Sequence, residues 1–365
     1  MWRGRGGGGA TGPAGARARP RARSLLPFQP FFFRSPLLSL PGEATAGKTQ
    51  LCLRLLLRAQ APVSAGGLGG TALWIYTEGD PPLRRLAALA PLTPGLEGTA
   101  HDPASRVLVD ARVASAADLM AALDRADTLC RAAAASADSN TPPIRLVILD
   151  SVAALFRDVG AGPPGVAGAA EYGARAGLMF TAAAALKRLA SEHGLVVVVV
   201  NQVVDVVADE GVCGGGDSGM SGQPPPFSFS AKAVAATGGQ PLRTSGRAVA
   251  PALGLAWAHC VDTRLFLSRM VAGGAGGWGE GGCGGGGSAA AANQAAAPHT
   301  LRCLQVVFAP HLPPSFAYAV VTGAGLVGVR QDAVASAVAV AARAPLGEAW
   351  GADTASGAAT QQAAW

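Results

Sequence analysis

The stretch Gly42-Glu43-Ala44-Thr45-Ala46-Gly47-Lys48-Thr49-Gln50 runs straight into the apolar segment LCLRLLL. Two glycines separated by four residues, then Lys-Thr and a helix-like run, satisfy the phosphate-loop pattern. The glycines let successive backbone N–H groups curl around an anion, and the helix that follows adds the positive end of its dipole. In this arrangement Lys48 reaches the β- and γ-phosphates of a nucleotide, and the Thr49 hydroxyl ligates Mg2+. The chain holds 50 glycines among 365 residues, so the pattern needs a second anchor before anything is built on it.

That anchor is RLVILDS (145–151), an apolar strand ending in Asp150 about a hundred residues downstream. A carboxylate at a strand's C-terminal edge can hold the Mg2+ water shell opposite Thr49. In WIYTEGD (74–80), Glu78 lies just past another strand end, where it suits the polarisation of an attacking water. In VVVVNQV, Asn201 and Gln202 close a further strand, placing an amide where it can donate to a terminal phosphate. Ligands in open α/β sheets sit at the carboxyl ends of the strands, so four polar groups at four strand ends form a consistent set.

The surrounding pattern supports such a sheet. Strand-like runs occur at 72–77, 106–110, 144–150 and 195–200, with helical stretches near 48–60, 81–90, 116–135 and 170–193 between them. Continuous β-branched runs fit strands buried on both faces of a parallel sheet, and the alternation predicts a doubly wound α/β fold. Residues 26–41, LPFQPFFFRSPLLSLP, are apolar but broken by proline and make a poor strand. Two low-complexity segments, 208–247 and 271–298, read as long mobile loops. The second separates RLFLSR from LRCLQVVFAP and is expected to be an expanded hairpin loop.

Charge belongs mainly to one end. Seven arginines and no acid occupy the first 34 residues and exceed the net charge of +6, so the rest of the chain is close to neutral. Residues 1–25 are expected to be a disordered basic tail, 26–330 an ATPase core and 331–365 an Ala-rich disordered tail. The basic start fits a nuclear address, or alternatively an organellar one. Six cysteines (52, 130, 213, 260, 283, 303) show no CxxC spacing, which fits a reducing compartment. No run approaches the roughly 18 apolar residues of a membrane span, so no membrane partner is expected.

Taken in order, GEATAGKTQLCL, IYTEGDPPLRRL, RLVILDSVAALFR, VVNQV, APALGLAWAHCVDTRLFLSR and APHLPPSFAYAV resemble the RecA-like recombinase family of eukaryotes. PALGLAWAHCVDTRL and APHLPPS resemble its recombinase paralogues in particular. The likeness covers about 42–330 apart from the two low-complexity segments. It implies a RecA-like P-loop core, a mostly parallel sheet flanked by helices with antiparallel C-terminal strands. It also implies ATP and Mg2+ as cofactors. Residues 42–50 would form the nucleotide cradle, Thr49 and Asp150 the metal site, Glu78 the hydrolytic base and Gln202 the γ-phosphate sensor.

The same resemblance implies single-stranded or branched DNA as a partner, together with another recombinase paralogue in a hetero-complex and the main recombinase. Two DNA-facing loops would correspond to about 158–174 and 203–247, with Arg157, Arg175, Lys232, Arg243 and Arg247 as the available cations and Phe227 and Phe229 as possible stacking groups. Taken singly, each of these cations is an ordinary solvated loop charge. Arg264 and Arg269 are expected in structural ion pairs, and FAYA (316–319), although it has the FxxA form of a docking motif, is expected in the core.

Two departures stand out. The family's N-terminal domain or linker and hairpin are replaced by an Arg/Gly tail and FFFRSPLLSL, which reads as an incomplete gene model. Val307-Phe308-Ala309 precede Pro310 where active recombinases carry an acid, which favours a paralogue over a self-assembling filament. A stand-alone strand-exchange recombinase and a catalytically decayed scaffold are the alternatives.

Overall fold

In the computed structural model, residues 36–97, 102–135, 142–156, 169–206, 242–271 and 300–329 are described. The centre of the molecule is the segment that sequence reasoning rated a poor strand. Leu37–Pro41 (β1) is fully buried and lies between β5 (Val196–Asn201) and β9 (Thr263–Val271), parallel to both. Its prolines bracket the strand instead of breaking it. Pro36 lies just ahead, and Pro41 takes the last position, opposite Asn201. A missing N–H does least harm at a strand's end.

The remaining elements are α1 (Lys48–Arg58), β2 (Thr71–Tyr76), α2 (Leu83–Leu89), β3 (Val107–Asp110), α3 (Ala116–Ala135), β4 (Ile144–Asp150), α4 (Val152–Phe156), α5 (Ala169–His193), β6 (Val203–Asp205), β7 (Leu242–Thr244), β8 (Arg247–Pro251), α6 (Gly254–Cys260), β10 (Thr300–Phe308), β11 (Phe316–Thr322) and β12 (Gly325–Val329). Nine strands form one sheet in the order β12-β11-β10-β9-β1-β5-β4-β2-β3. From β3 to β9 every pairing is parallel, and β9 to β12 are antiparallel. This is the expected fold class. Val271 pairs with Thr300, so β9 and β10 make the expected hairpin.

Alternation within the strands explains their continuous hydrophobicity. Trp74, Ile148 and Val198 face a core layer shared with α1 and α2, whereas Ile75, Val147 and Val197 face one shared with α3, α5 and α6. Each face is covered by helices, so both sets of side chains must be apolar.

Two further expectations are corrected. The segment 208–247, taken as loop, ends in ordered structure: β7 and β8 form a hairpin, and with β6 a three-stranded sheet. Its turn, Ser245-Gly246, has φ of 49° and 79°, as a two-residue type I′ hairpin requires. FAYA is core only at its last residue. Ala319 is buried, but Phe316 is 55 % exposed and stacks edge-to-face on Tyr318 at 5.4 Å. The expected N- and C-terminal tails lie outside the described residues, as do Arg157, Lys232, Phe227 and Phe229.

Candidate nucleotide-binding site

β1 delivers the chain into the 42–47 loop, and α1 carries it away. Gly42 is required by proximity: a Cβ there would lie 2.5 Å from the Leu267 carbonyl oxygen of β9. Gly47 is required by conformation, with φ of 103° at the N-terminal cap of α1. Thr45, at the loop's tip, has φ of 61°. The Ala46 amide donates to the Glu43 carbonyl at 3.2 Å, which closes the loop.

Lys48 Nζ turns back over this loop and donates to the carbonyls of Gly42 and Glu43, both at 2.8 Å. Burial lowers its pKa, opposed by the charges of Asp150 and Glu78. Thr49 Oγ1 donates to Asp150 Oδ2 at 3.0 Å, joining α1 to the end of β4. Burial pushes the Asp150 carboxyl up to about 6, with the Glu78 charge adding to the rise and the Thr49 hydrogen bond and Lys48 opposing it. A nearby cation relieves such a strained carboxylate. The Thr49 and Asp150 oxygens are the hard donors Mg2+ prefers.

From Asp150 the contacts continue across the strand ends. Ser151 Oγ and Gln202 Nε2 both donate to Glu78 Oε1, at 2.7 and 2.6 Å. The Thr77 hydroxyl is tied to the Ser151 backbone at both its N–H and its carbonyl. Asn201, fully buried, is held within the backbone framework. Its amide donates to the Ala252 carbonyl at 2.9 Å, and its Oδ1 accepts from the Gln202 N–H at 2.8 Å. The structure therefore brings Lys48, Thr49, Glu78, Asp150 and Gln202 into one group.

Other residues of the predicted cradle point elsewhere. The Gln50 side chain leaves the loop and accepts from Arg85 Nε of α2 at 3.3 Å, while Arg85 also donates to the Thr322 carbonyl at 2.9 Å. Glu43 turns its carboxylate away from Lys48 Nζ and into the β7–β8 turn. There it accepts from Thr244 Oγ1 at 2.7 Å, Ser245 Oγ at 2.6 Å and Arg247 Nη2 at 3.0 Å. Burial raises its pKa, but these hydrogen bonds and the Arg269 charge outweigh burial and hold it below the usual range.

Arg269 thus has the expected ion pair, with Glu43 at 3.9 Å, and its Nη1 also donates to Thr45 Oγ1 at 2.8 Å. Its cross-strand neighbour Arg302 donates to the Thr45 carbonyl at 3.3 Å. Burial and the Arg269 charge bring Arg302 down to about 10. Arg247 also holds Asp205 through two contacts of 2.8 and 2.9 Å, so it is not a free loop cation, whereas Arg243 is exposed on β7. Arg175 lies on α5.

Sequence reasoning missed Arg85, Ser151 and Arg302. Ser151 alone had a signal, because it directly follows the strand-terminal acid. A separate group of Asp127, Glu192 and His193 comes within metal-binding reach, but Arg131 pairs with both of its carboxylates, so it forms an ion-pair network.

A family model described as Rad51 matches residues 35–220, which span β1 through β6 and every group of this site except the contacts from β7 to β11. DNA repair protein XRCC3 homolog of Arabidopsis thaliana is 33 % identical over 300 residues, 80 % of this chain and 86 % of that protein. The chain belongs to the Rad51 family. Further relatives include DNA repair protein XRCC3 of Bos taurus, 29 % identical over 299 residues, 80 % of this chain and 69 % of that protein. DNA repair protein RAD51 of Saccharomyces cerevisiae is 33 % identical over 190 residues, 52 % of this chain and 40 % of that protein. Among the described residues no helix is long and apolar enough to cross a membrane.

Proposed function

We propose that this protein is an ATP-dependent, DNA-binding recombinase paralogue that assists double-strand break repair by homologous recombination. The meeting of Lys48, Thr49, Asp150, Glu78 and Gln202 at the strand ends carries the nucleotide half of this reading. Membership of the Rad51 family and likeness to proteins named DNA repair proteins support the repair half.

Residues 42–50 would cradle the phosphates of ATP, with backbone amides and the α1 N-terminus supplying positive potential. Lys48 would exchange its two carbonyl acceptors for phosphate oxygens. Thr49 and Asp150 would hold Mg2+, which when bound neutralises phosphate charge. Glu78, oriented by Ser151 and Gln202, would accept the proton of an attacking water. Gln202 leads directly into β6, so drawing its amide away from Glu78 would move that strand. Nucleotide would therefore act mainly as a switch for DNA or partner binding, with slow and DNA-stimulated turnover.

Single-stranded or branched DNA, a second recombinase paralogue and the main recombinase are the proposed partners, with the nucleus as the place of action. The apolar Val307-Phe308-Ala309 before Pro310 favours a hetero-complex over a self-assembling filament. Two measurements on the purified chain test the reading. Binding of a fluorescent ATP analogue should be lost in Lys48→Ala, and unchanged affinity would refute the assignment. ATP turnover should rise on adding single-stranded DNA. Robust filaments formed by this chain alone would replace the paralogue reading with a stand-alone recombinase, and absence of any turnover would favour a scaffold.

A further inference from the structure

Glu43 belongs to the 42–47 loop through its backbone and to the β7–β8 hairpin through its side chain. Its carbonyl accepts from Lys48, and its carboxylate, 6 % exposed, accepts from Thr244, Ser245 and Arg247. Hydrogen bonds to a buried ionised acceptor are the stronger kind, and removing one partner leaves the other unsatisfied. The turn residues are further committed to this neighbourhood: the Arg269 N–H donates to Thr244 Oγ1 at 3.0 Å, and the Ser245 N–H to the Arg269 carbonyl at 2.9 Å.

The far side of the same hairpin reaches the other end of the site. β8 pairs with β6 from Val203 to Asp205, and Arg247 bridges Asp205 to Glu43. Gln202, immediately before β6, holds Glu78. The contacts Thr49–Asp150, Ser151–Glu78–Gln202 and Asp205–Arg247–Glu43 therefore close a ring around the strand ends. Among the described residues, the three-stranded sheet meets this ring at Gln202 and at Glu43, and its turn is also tied to Arg269 of β9.

We propose that Glu43 is a positioning residue that latches the β6–β8–β7 sheet to the nucleotide loop, so that the hairpin turn reports whether the loop is occupied. Lys48 cannot serve a phosphate and the Glu43 carbonyl equally well, and the residue it releases carries the turn. The coupling rests on the nucleotide reading above. A merely structural ion pair would hold the turn equally with and without nucleotide.

Hydrogen–deuterium exchange of the full chain, free and with ATPγS and Mg2+, tests this on peptides covering Leu242–Pro251, with β4 and β5 as reference. Binding of a fluorescent ATP analogue is measured in parallel. In the wild type, exchange across the hairpin shifts threefold or more on nucleotide addition. In Glu43→Gln, hairpin exchange without nucleotide is faster by roughly tenfold, and the nucleotide-dependent shift is gone. Arg247→Ala gives the same change in smaller measure, because Thr244 and Ser245 still hold the carboxylate, and it serves if Glu43→Gln does not fold. A nucleotide-dependent shift that survives in Glu43→Gln overturns the proposal. So does a wild-type hairpin that ignores a nucleotide the protein demonstrably binds, with the function above left standing. A wild type that binds no nucleotide overturns that function and the coupling with it.

Discussion

The Thr49 hydroxyl donates to Asp150 Oδ2 at 3.0 Å across 101 positions of sequence. This contact joins the start of α1 to the end of β4 and sets the two oxygen donors of the proposed metal site side by side. It also leaves Asp150 in an uncomfortable place, 4 % exposed and pushed up to about 6 by burial first and by the Glu78 charge second.

Asp150→Asn should therefore separate function from stability. A folded-state pKa above the unfolded value means that Asp150 contributes stability below about pH 4, and that this contribution is lost as the pH rises through about 6. Above that window the buried ionised carboxylate opposes folding, so the nucleotide-free variant should melt at or above the wild-type temperature at pH 7.5. Mg2+-dependent nucleotide affinity should nevertheless fall by about tenfold or more, as expected when a charged metal ligand becomes neutral. Thermal melts and nucleotide titrations with and without Mg2+ check both halves.

Glu78 accepts from Gln202 at 2.6 Å and from Ser151 at 2.7 Å, an arrangement that fixes the carboxylate without placing it in the cradle. Glu78→Gln should lower ATP turnover by about 10²-fold or more, the usual scale for a lost general base. Nucleotide affinity should stay within about threefold of the wild type. A matching loss of affinity and turnover would instead make Glu78 a binding residue. Single-turnover hydrolysis beside equilibrium binding distinguishes the two.

Much of this site was legible because Lys48 and Thr49 follow the phosphate-loop glycines, whereas Glu78, Asp150 and Gln202 each lie at or just past the end of an apolar run, and strand ends are where such sheets carry ligands. Lys48, Thr49, Asp150, Glu78 and Gln202 needed only their own local sequence to be noticed. β1 did not, because LLSLP lacks the β-branched residues of β4 and β5, and its identity is settled by distant partners. Asp262 Oδ2 accepts from the Leu37 N–H at 3.1 Å, and its Oδ1 from Lys187 Nζ at 2.7 Å, contacts no local pattern announces. The side-chain direction of Glu43 was equally hidden. The phosphate-loop pattern places its backbone, but the hairpin that takes its carboxylate lies some two hundred residues downstream, after a Gly-rich stretch with no periodicity of its own.

The dependence of β1 on Asp262 gives a stability prediction. Asp262→Ala leaves the Leu37 N–H and Lys187 Nζ without this acceptor at the start of the central strand. Leu37 is fully buried, and leaving a buried donor such as its N–H unsatisfied costs about 1–3 kcal/mol. Leu38→Ala, which empties a fully packed position beneath α1, should cost about 2–5 kcal/mol. Urea unfolding of both variants checks the order, and a Leu38→Ala cost below that of a typical surface change would contradict the central placement of β1.

The two glycines that frame the loop should respond differently to alanine. At Gly47 an added Cβ meets Val321, Leu326 and Arg302 at ordinary contact distances of 3.6 to 3.9 Å, so the cost is that of the positive φ alone. That cost is about 1–2 kcal/mol. At Gly42 the added Cβ meets the Leu267 carbonyl oxygen at 2.5 Å, and this oxygen belongs to the backbone of β9, which cannot move without disturbing its pairing with β1 and β10. Gly42→Ala should therefore destabilise the protein more than Gly47→Ala and should widen the separation of the loop from β9. Chemical denaturation gives the order, and hydrogen exchange of β9 gives the site of the damage. Equal stability for the two variants would mean that the loop does not approach β9 as closely as the Gly42–Leu267 bridge requires.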